Sequence, residues 1–279
     1  MTILIKERST RILSIGGCNN CVNGWVIRER PAKTFRVDGN LVYQGDDEAV
    51  VEYVTACPNC RGDQYRYQRN RKKADVPAAY YDAEFKDFDW TIYEDESGKK
   101  IVLEQQQIFV TSFINDYRKW EKAGIGLYIW SKMKGSGKTF LASAICNTLI
   151  KRYHIKPKFV SASKLLDIDS NKEKGTDPIG ELCDCDLLVL DDLGQKNTGE
   201  DWMNDVVFKI FDARMNNKLV TIVTSNKKME AQPFDDRISD RMFKVLQPIP
   251  LPNYCVRAKE AKEAKKKLLK DLGLMGGNR

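Results

Sequence analysis

A loop of small residues that ends in a lysine and a hydroxyl has chemistry that can be read before any fold is known. In this chain it is Lys132-Met133-Lys134-Gly135-Ser136-Gly137-Lys138-Thr139, and Phe140 then opens an apolar helical pattern. Gly135, Ser136 and Gly137 leave room for backbone N–H groups to point at phosphate oxygens, and a helix N-terminus at Lys138 adds its partial positive charge. Lys138 is placed to reach the β and γ phosphates of a nucleotide, and the Thr139 hydroxyl to sit on Mg²⁺. The stretch departs from G-x-x-x-x-G-K-[ST] at one position, where Lys132 replaces the first glycine.

Leu187-Leu-Val-Leu-Asp-Asp-Leu-Gly194 is an apolar run that delivers two carboxylates. The C-terminal ends of parallel strands are where ligands bind in open α/β sheets. Asp191 would hold Mg²⁺, directly or through water, and Asp192 would polarise an attacking water. Read alone, the same residues describe a capped strand end; with the lysine loop before them they point to a nucleoside triphosphatase. Thr221-Ile-Val-Thr-Ser-Asn226 is a further buried strand, and Asn226 can orient water beside a γ-phosphate or serve as a turn residue. Arg237 and Arg241 stand four residues apart, so they share a helix face. They suit a γ-phosphate bound to a neighbouring subunit, or a salt-bridged helix with Asp235, Asp236 and Asp240.

Two C-x₂-C knuckles, Cys18-Asn-Asn-Cys21 and Cys57-Pro-Asn-Cys60, offer four thiolates for a tetrahedral, structural Zn²⁺ site. A redox pair would need one C-x-x-C beside a βαβ unit, and two knuckles without such a unit favour zinc. Cys146, Cys183, Cys185 and Cys255 lack partner spacing. After the second knuckle, Arg66, Arg69 and Arg71 interleave with Tyr65 and Tyr67, which suits single-stranded nucleic acid or equally a solvated linker helix. The Lys-rich segment Arg257 to Leu272 reads first as a solvated helix face and second as a DNA contact.

These residues need elements to hold them. The chain has 279 residues, 42% hydrophobic and 30% charged, enough apolar material for one or two domains rather than a disordered chain. Its net charge of +7 permits a nucleic-acid partner without demonstrating one. No run of about 18 uncharged apolar residues is present. The amino-terminal segment carries charges within its apolar stretch, so the expected location is cytoplasmic, with reduced cysteines and no membrane contact. Residues 1–75 alternate short β-prone runs with turns, including a hairpin signal at Asp38-Gly-Asn40. Residues 76–122 form a linker and helical lead-in, with one helix over Leu103 to Lys122. In 123–256, strands at Gly126–Trp130, Pro157–Ser161, Asp186–Leu190 and Leu219–Thr224 alternate with helices at Lys138–Arg152, Ala162–Asp167 and Asp201–Asn216. That alternation predicts an α/β fold with a parallel sheet. Residues 257–279 form a basic tail.

The Asp-Asp-Leu-Gly, Thr-Ser-Asn and Arg-Ile-Ser-Asp-Arg-Met segments resemble the AAA+ ATPases of the DnaC/DnaI helicase-loader and IstB group. So does Val76-Pro-Ala-Ala-Tyr80 followed by Phe85 and Phe88, and the similarity covers roughly residues 76 to 257. The resemblance implies an AAA+ P-loop base that self-associates into a ring or spiral with ATP between subunits. It makes Asn226 the first sensor, Arg241 the trans arginine with Arg237 second, and Arg257 of Asn253-Tyr-Cys-Val-Arg257 the candidate second sensor. It marks Lys164 as a contact to single-stranded DNA. It also implies an amino-terminal zinc module that grips a hexameric DnaB-type replicative helicase, and hence ATP-dependent loading of that helicase. An IstB-like transposition helper acting on duplex DNA, and a non-hydrolysing helicase-binding adaptor, are the alternatives.

Overall fold

The computed structural model describes residues 10–11, 25–31, 34–37, 40–43, 50–56, 61–165, 177–194 and 200–272, with side chains over 67–165, 177–194 and 203–272. The chain divides into two compact units, Met1–Arg69 and Asn70–Arg279. In the first, strands β1 (Thr10–Arg11), β2 (Trp25–Pro31) and β5 (Val50–Ala56) form an antiparallel sheet in the order β1-β2-β5. Strands β3 (Thr34–Val37) and β4 (Asn40–Tyr43) pair antiparallel with Val37 opposite Asn40, the register of a hairpin closed by two residues. Cys18, Cys21, Cys57 and Cys60 lie outside the described residues. Helix α1 spans Arg61–Lys73.

The second unit is built on a five-stranded parallel sheet in the order β10-β6-β9-β8-β7. Its strands are β6 (Gly126–Trp130), β7 (Pro157–Ser161), β8 (Leu187–Leu193), β9 (Val220–Ser225) and β10 (Leu246–Pro250). The near-continuous apolar runs of β6, β8 and β9 follow from helices covering both faces of a parallel sheet. These helices are α4 (Lys138–Tyr153), α5 (Pro178–Asp184), α6 (Glu200–Asn216) and α7 (Asp236–Val245), with α8 (Val256–Asp271) after the last strand. Leu188, Leu190, Val207, Ile210, Phe211, Val223, Ile238 and Met242 make up much of the core on one face. Helix α8 buries none of its residues, which matches its solvated sequence pattern.

Several elements, α5 among them, differ from the sequence expectation. The lead-in helix is two helices, α2 (Glu104–Asn115) and α3 (Tyr117–Ala123), because the chain leaves helical backbone at Asp116. Strand β8 continues past Leu190 to Leu193 and carries both aspartates inside it. Strand β10 has no counterpart in the sequence reading, since Pro248 and Pro250 argue against a strand. Its place at the sheet edge, paired only with β6, is where prolines are tolerated. Of the helix expected at Ala162–Asp167, residues 162–165 are helical and the rest lie outside the described residues.

Candidate active site

Strand β6 delivers the lysine loop to the amino terminus of α4. Gly135 and Gly137 have φ of 74° and 91°, and Gly137 is the N-cap of α4. The loop is pinned from outside itself: the Tyr93 hydroxyl donates to Ser136 O at 2.9 Å, and Ser131 Oγ donates to Pro252 O at 2.9 Å. Lys138 folds back over the loop, its ammonium donating to Met133 O at 3.0 Å and Ser136 Oγ at 3.2 Å. Burial pushes the Lys138 pKa down, opposed by the charges of Asp192 and Asp191. A buried ammonium bonded to neutral oxygens of its own loop is a ready partner for an anion. Lys132, Met133 and Lys134 are exposed.

Asp191 lies inside β8, two residues before its end. Thr139 Oγ1 donates to its two carboxylate oxygens at 3.0 and 3.3 Å, and Thr224 Oγ1 donates to Oδ1 at 2.6 Å. Burial raises the Asp191 pKa, and those hydroxyls and Lys138 act against it. The Thr139 hydroxyl and the Asp191 carboxylate are hard oxygen donors brought together from two elements, so they fit Mg²⁺. Asp192 follows with φ 57°, in the left-handed region, and its N–H is bonded to Thr224 Oγ1 at 2.9 Å. Asn226 comes directly after β9, and its Oδ1 is buried with no hydrogen-bond partner among the described residues.

A cavity of about 330 Å³ adjoins the loop, lined in part by Phe88, Tyr93, Thr139, Phe140, Arg257 and Glu260. Its outer wall is the segment before the sheet. Asn147 of α4 donates to the carbonyls of Tyr80, Tyr81 and Ala83 at 3.2, 3.2 and 2.9 Å, and Phe140 meets Tyr80 edge-on at 5.8 Å. Asp89 also lines the cavity, and neither it nor Tyr93 is among the site residues expected from the sequence. The closely spaced aromatics from Tyr80 to Tyr93 were the available signal. Arg257 donates its backbone N–H to Gly135 O at 3.2 Å, so the start of α8 rests on the loop.

The remaining candidates are dispersed. Arg241 donates to Asp212 Oδ1 at 2.6 and 2.9 Å and its side chain is 20% exposed; Arg237 pairs with Asp235 at 2.7 Å and is 66% exposed. Both guanidiniums lie over the Phe208 ring, at 4.3 and 4.9 Å. Lys164 and Arg69 are exposed, and the Arg66 side chain lies outside the described residues. Arg71 is committed elsewhere: it bonds Tyr81 O and Asp82 and stacks on the Tyr81 ring at 3.8 Å. These contacts fasten α1 to the lead-in. Cys183 is buried, and Cys185 Sγ lies 3.3 Å from Arg214 Nη1, consistent with packing. Among the described residues, no group of three or more His, Cys, Asp or Glu is arranged to hold a metal, and no helix is long and apolar enough to cross a membrane.

Comparison with known proteins gives three findings. Residues 48–244 match the family model described as IstB-like ATP binding protein. The replicative helicase loader DnaC of Escherichia coli (strain K12) is 31% identical over 128 residues, 42% of this chain and 50% of that protein. The replicative helicase loader DnaI of Bacillus subtilis (strain 168) is 32% identical over 123 residues, 42% of this chain and 38% of that protein. The chain thus spans half or less of the length of these curated relatives. Among solved structures, a crystal structure of DnaI superimposes with a TM-score of 0.52 at 25% identity, over 66% of this chain and 96% of that one. A crystal structure of the DnaC helicase loader gives 0.51 at 19% identity, over 63% and 99%.

Proposed function

The chain belongs to the family of IstB-like ATP binding proteins, its sheet and flanking helices forming an AAA+ P-loop fold, and from that premise we propose that it loads a hexameric DnaB-type replicative helicase onto single-stranded DNA, with ATP binding and hydrolysis timing assembly and release. The observation that carries the catalytic half is the convergence of Lys138, Thr139, Asp191 and Asp192 across two elements, closed by the 3.0 Å contact of Thr139 to Asp191. The loading half is supported by the likeness to the loaders DnaC and DnaI.

In this reading, Lys138 leaves its loop oxygens for the β and γ phosphates, and Gly135 to Gly137 present backbone N–H groups to them. Thr139 and Asp191 would hold Mg²⁺, which would supply neutralising charge to the phosphates. Asp192 accepts a hydrogen bond from the attacking water and polarises it, while the unpartnered Asn226 Oδ1 orients that water. Phe88, Tyr93 and Arg257 border the space for the nucleoside. Arg241, or Arg237 in second place, reaches the γ-phosphate of an adjacent subunit in a ring or spiral. The four knuckle cysteines, which lie outside the described residues, would hold one Zn²⁺, and that module would contact the helicase; metal analysis of the purified chain and of Cys57→Ser reads this directly.

The test is co-purification of the full chain with the replicative helicase, with and without ATP, beside ATP turnover. A large complex formed with ATP, and absent with Lys138→Ala, is the expected result. No complex in either nucleotide state sinks the loader reading. ATP-dependent assembly on duplex DNA in its place would favour the transposition helper, the alternative that the family description keeps in view. Turnover unchanged by Lys138→Ala would leave only an adaptor role.

A further inference from the structure

Thr224 reads in the sequence as one more residue of a buried strand, yet in the structure it touches both aspartates. Between β8 and β9, Leu190 pairs with Val223 and Leu193 with Ser225. Asp191 and Asp192 therefore stand opposite a single residue, Thr224, which is the arrangement of a β-bulge. A bulge re-aims a side chain and releases one backbone group from the ladder. Here the re-aimed residue is Asp192, at φ 57°, and its released N–H is taken up by Thr224 Oγ1 at 2.9 Å. The same hydroxyl gives its proton to Asp191 Oδ1 at 2.6 Å. Thr139 bonds that carboxylate more loosely, so the Thr224 contact sets its rotation.

We propose that Thr224 is a positioning residue for the nucleotide reaction, its hydroxyl fastening the bulge that aims Asp192 while fixing the Asp191 carboxylate for the divalent cation. Only a group that donates and accepts at once can do both, which a hydroxyl does and a methyl cannot. Thr224 is fully buried, so water cannot replace the lost contacts without rearrangement. The inference rests on the ATP-hydrolysing reading above.

The test compares Thr224→Val, nearly the same shape without the hydroxyl, with Thr224→Ser, which keeps it. Affinity for a fluorescent ATP analogue is titrated without metal and against Mg²⁺, and steady-state turnover is measured beside it. Thr224→Val should bind the metal-free nucleotide as the parent chain does. Its Mg²⁺ requirement should rise, and its kcat fall, by about 10-fold to 100-fold, the size of losing a hydrogen bond to a charged group. Thr224→Ser should restore both. A Val variant with the parent's Mg²⁺ dependence and turnover overturns the proposal while leaving the ATPase reading intact. A parent chain that neither binds nor hydrolyses ATP overturns both. If thermal melting shows that the Val variant does not fold, Thr224→Cys, whose thiol is a weak donor, takes its place under the same expectations.

Discussion

Gly137 shows how narrowly single residues are constrained around the lysine loop. Its φ of 91° is one that a side chain resists, and a Cβ there would meet a Phe88 ring carbon and the Tyr93 hydroxyl, both at 3.3 Å. Alanine would strain the backbone by about 1 kcal/mol or more, and it would also press the Tyr93 hydroxyl away from Ser136 O. Gly137→Ala is therefore expected to weaken nucleotide binding by roughly 10-fold, the equivalent of about 1.4 kcal/mol. Titration with a fluorescent nucleotide reads this, and unchanged affinity would mean that the loop adapts without the left-handed residue. Lys138 illustrates the complementary constraint, that of charge. It is 5% exposed and, among the described residues, its ammonium bonds a carbonyl and a hydroxyl, so the site holds positive charge that a phosphate can use.

At the scale of elements, Arg214 ties the end of α5 to the start of β9. It is 1% exposed and lies in the last turn of α6. It donates to Leu182 O at 2.9 Å, Cys185 O at 2.8 Å, Val220 O at 2.6 Å and Thr221 Oγ1 at 2.9 Å. One planar guanidinium thus satisfies the end of α5 and the start of β9. Burial pushes its pKa down, and the polar groups around it are its compensation. Arg214→Met would leave several buried carbonyls without donors and is expected to cost about 3 kcal/mol of stability. Arg214→Lys should recover little of that, because an ammonium lacks the planar fork. Urea denaturation of both variants measures the effect; a Met variant as stable as the parent would show that the carbonyls find other donors.

For the whole molecule, the decisive feature is that the arginine helix and the lysine loop of one chain belong to different sites in the proposed assembly. Mixing Arg241→Ala with Lys138→Ala tests this. The first variant keeps an intact loop and the second supplies the arginine, so the mixture should hydrolyse ATP faster than either alone. Running Arg237→Ala in parallel assigns the role. Recovery with Arg237→Ala and none with Arg241→Ala would move the assignment to Arg237, which is the more exposed of the two. No recovery in any mixture would argue that neither arginine acts across an interface.

What the sequence alone determines here is local. The strands at Gly126–Trp130 and Pro157–Ser161 fall at their predicted bounds because short apolar runs bounded by turns define buried strands. The lysine loop and the two aspartates are legible because phosphate and cation chemistry demands fixed residue types at fixed spacing. The break at Asp116 is also local, yet apolar periodicity continues across it and hides it. Tertiary structure decides what depends on residues distant in the chain. Thr224 meets Asp191 across an |i−j| of 33, and Tyr93 meets Ser136 across 43. The prolines of β10 are admissible only because the sheet order puts that strand at an edge. The left-handed turn at Asp192 arises from a register mismatch between two strands, each of which looks regular on its own. Sequence spacing encodes which groups can do the chemistry; strand pairing decides which way they face.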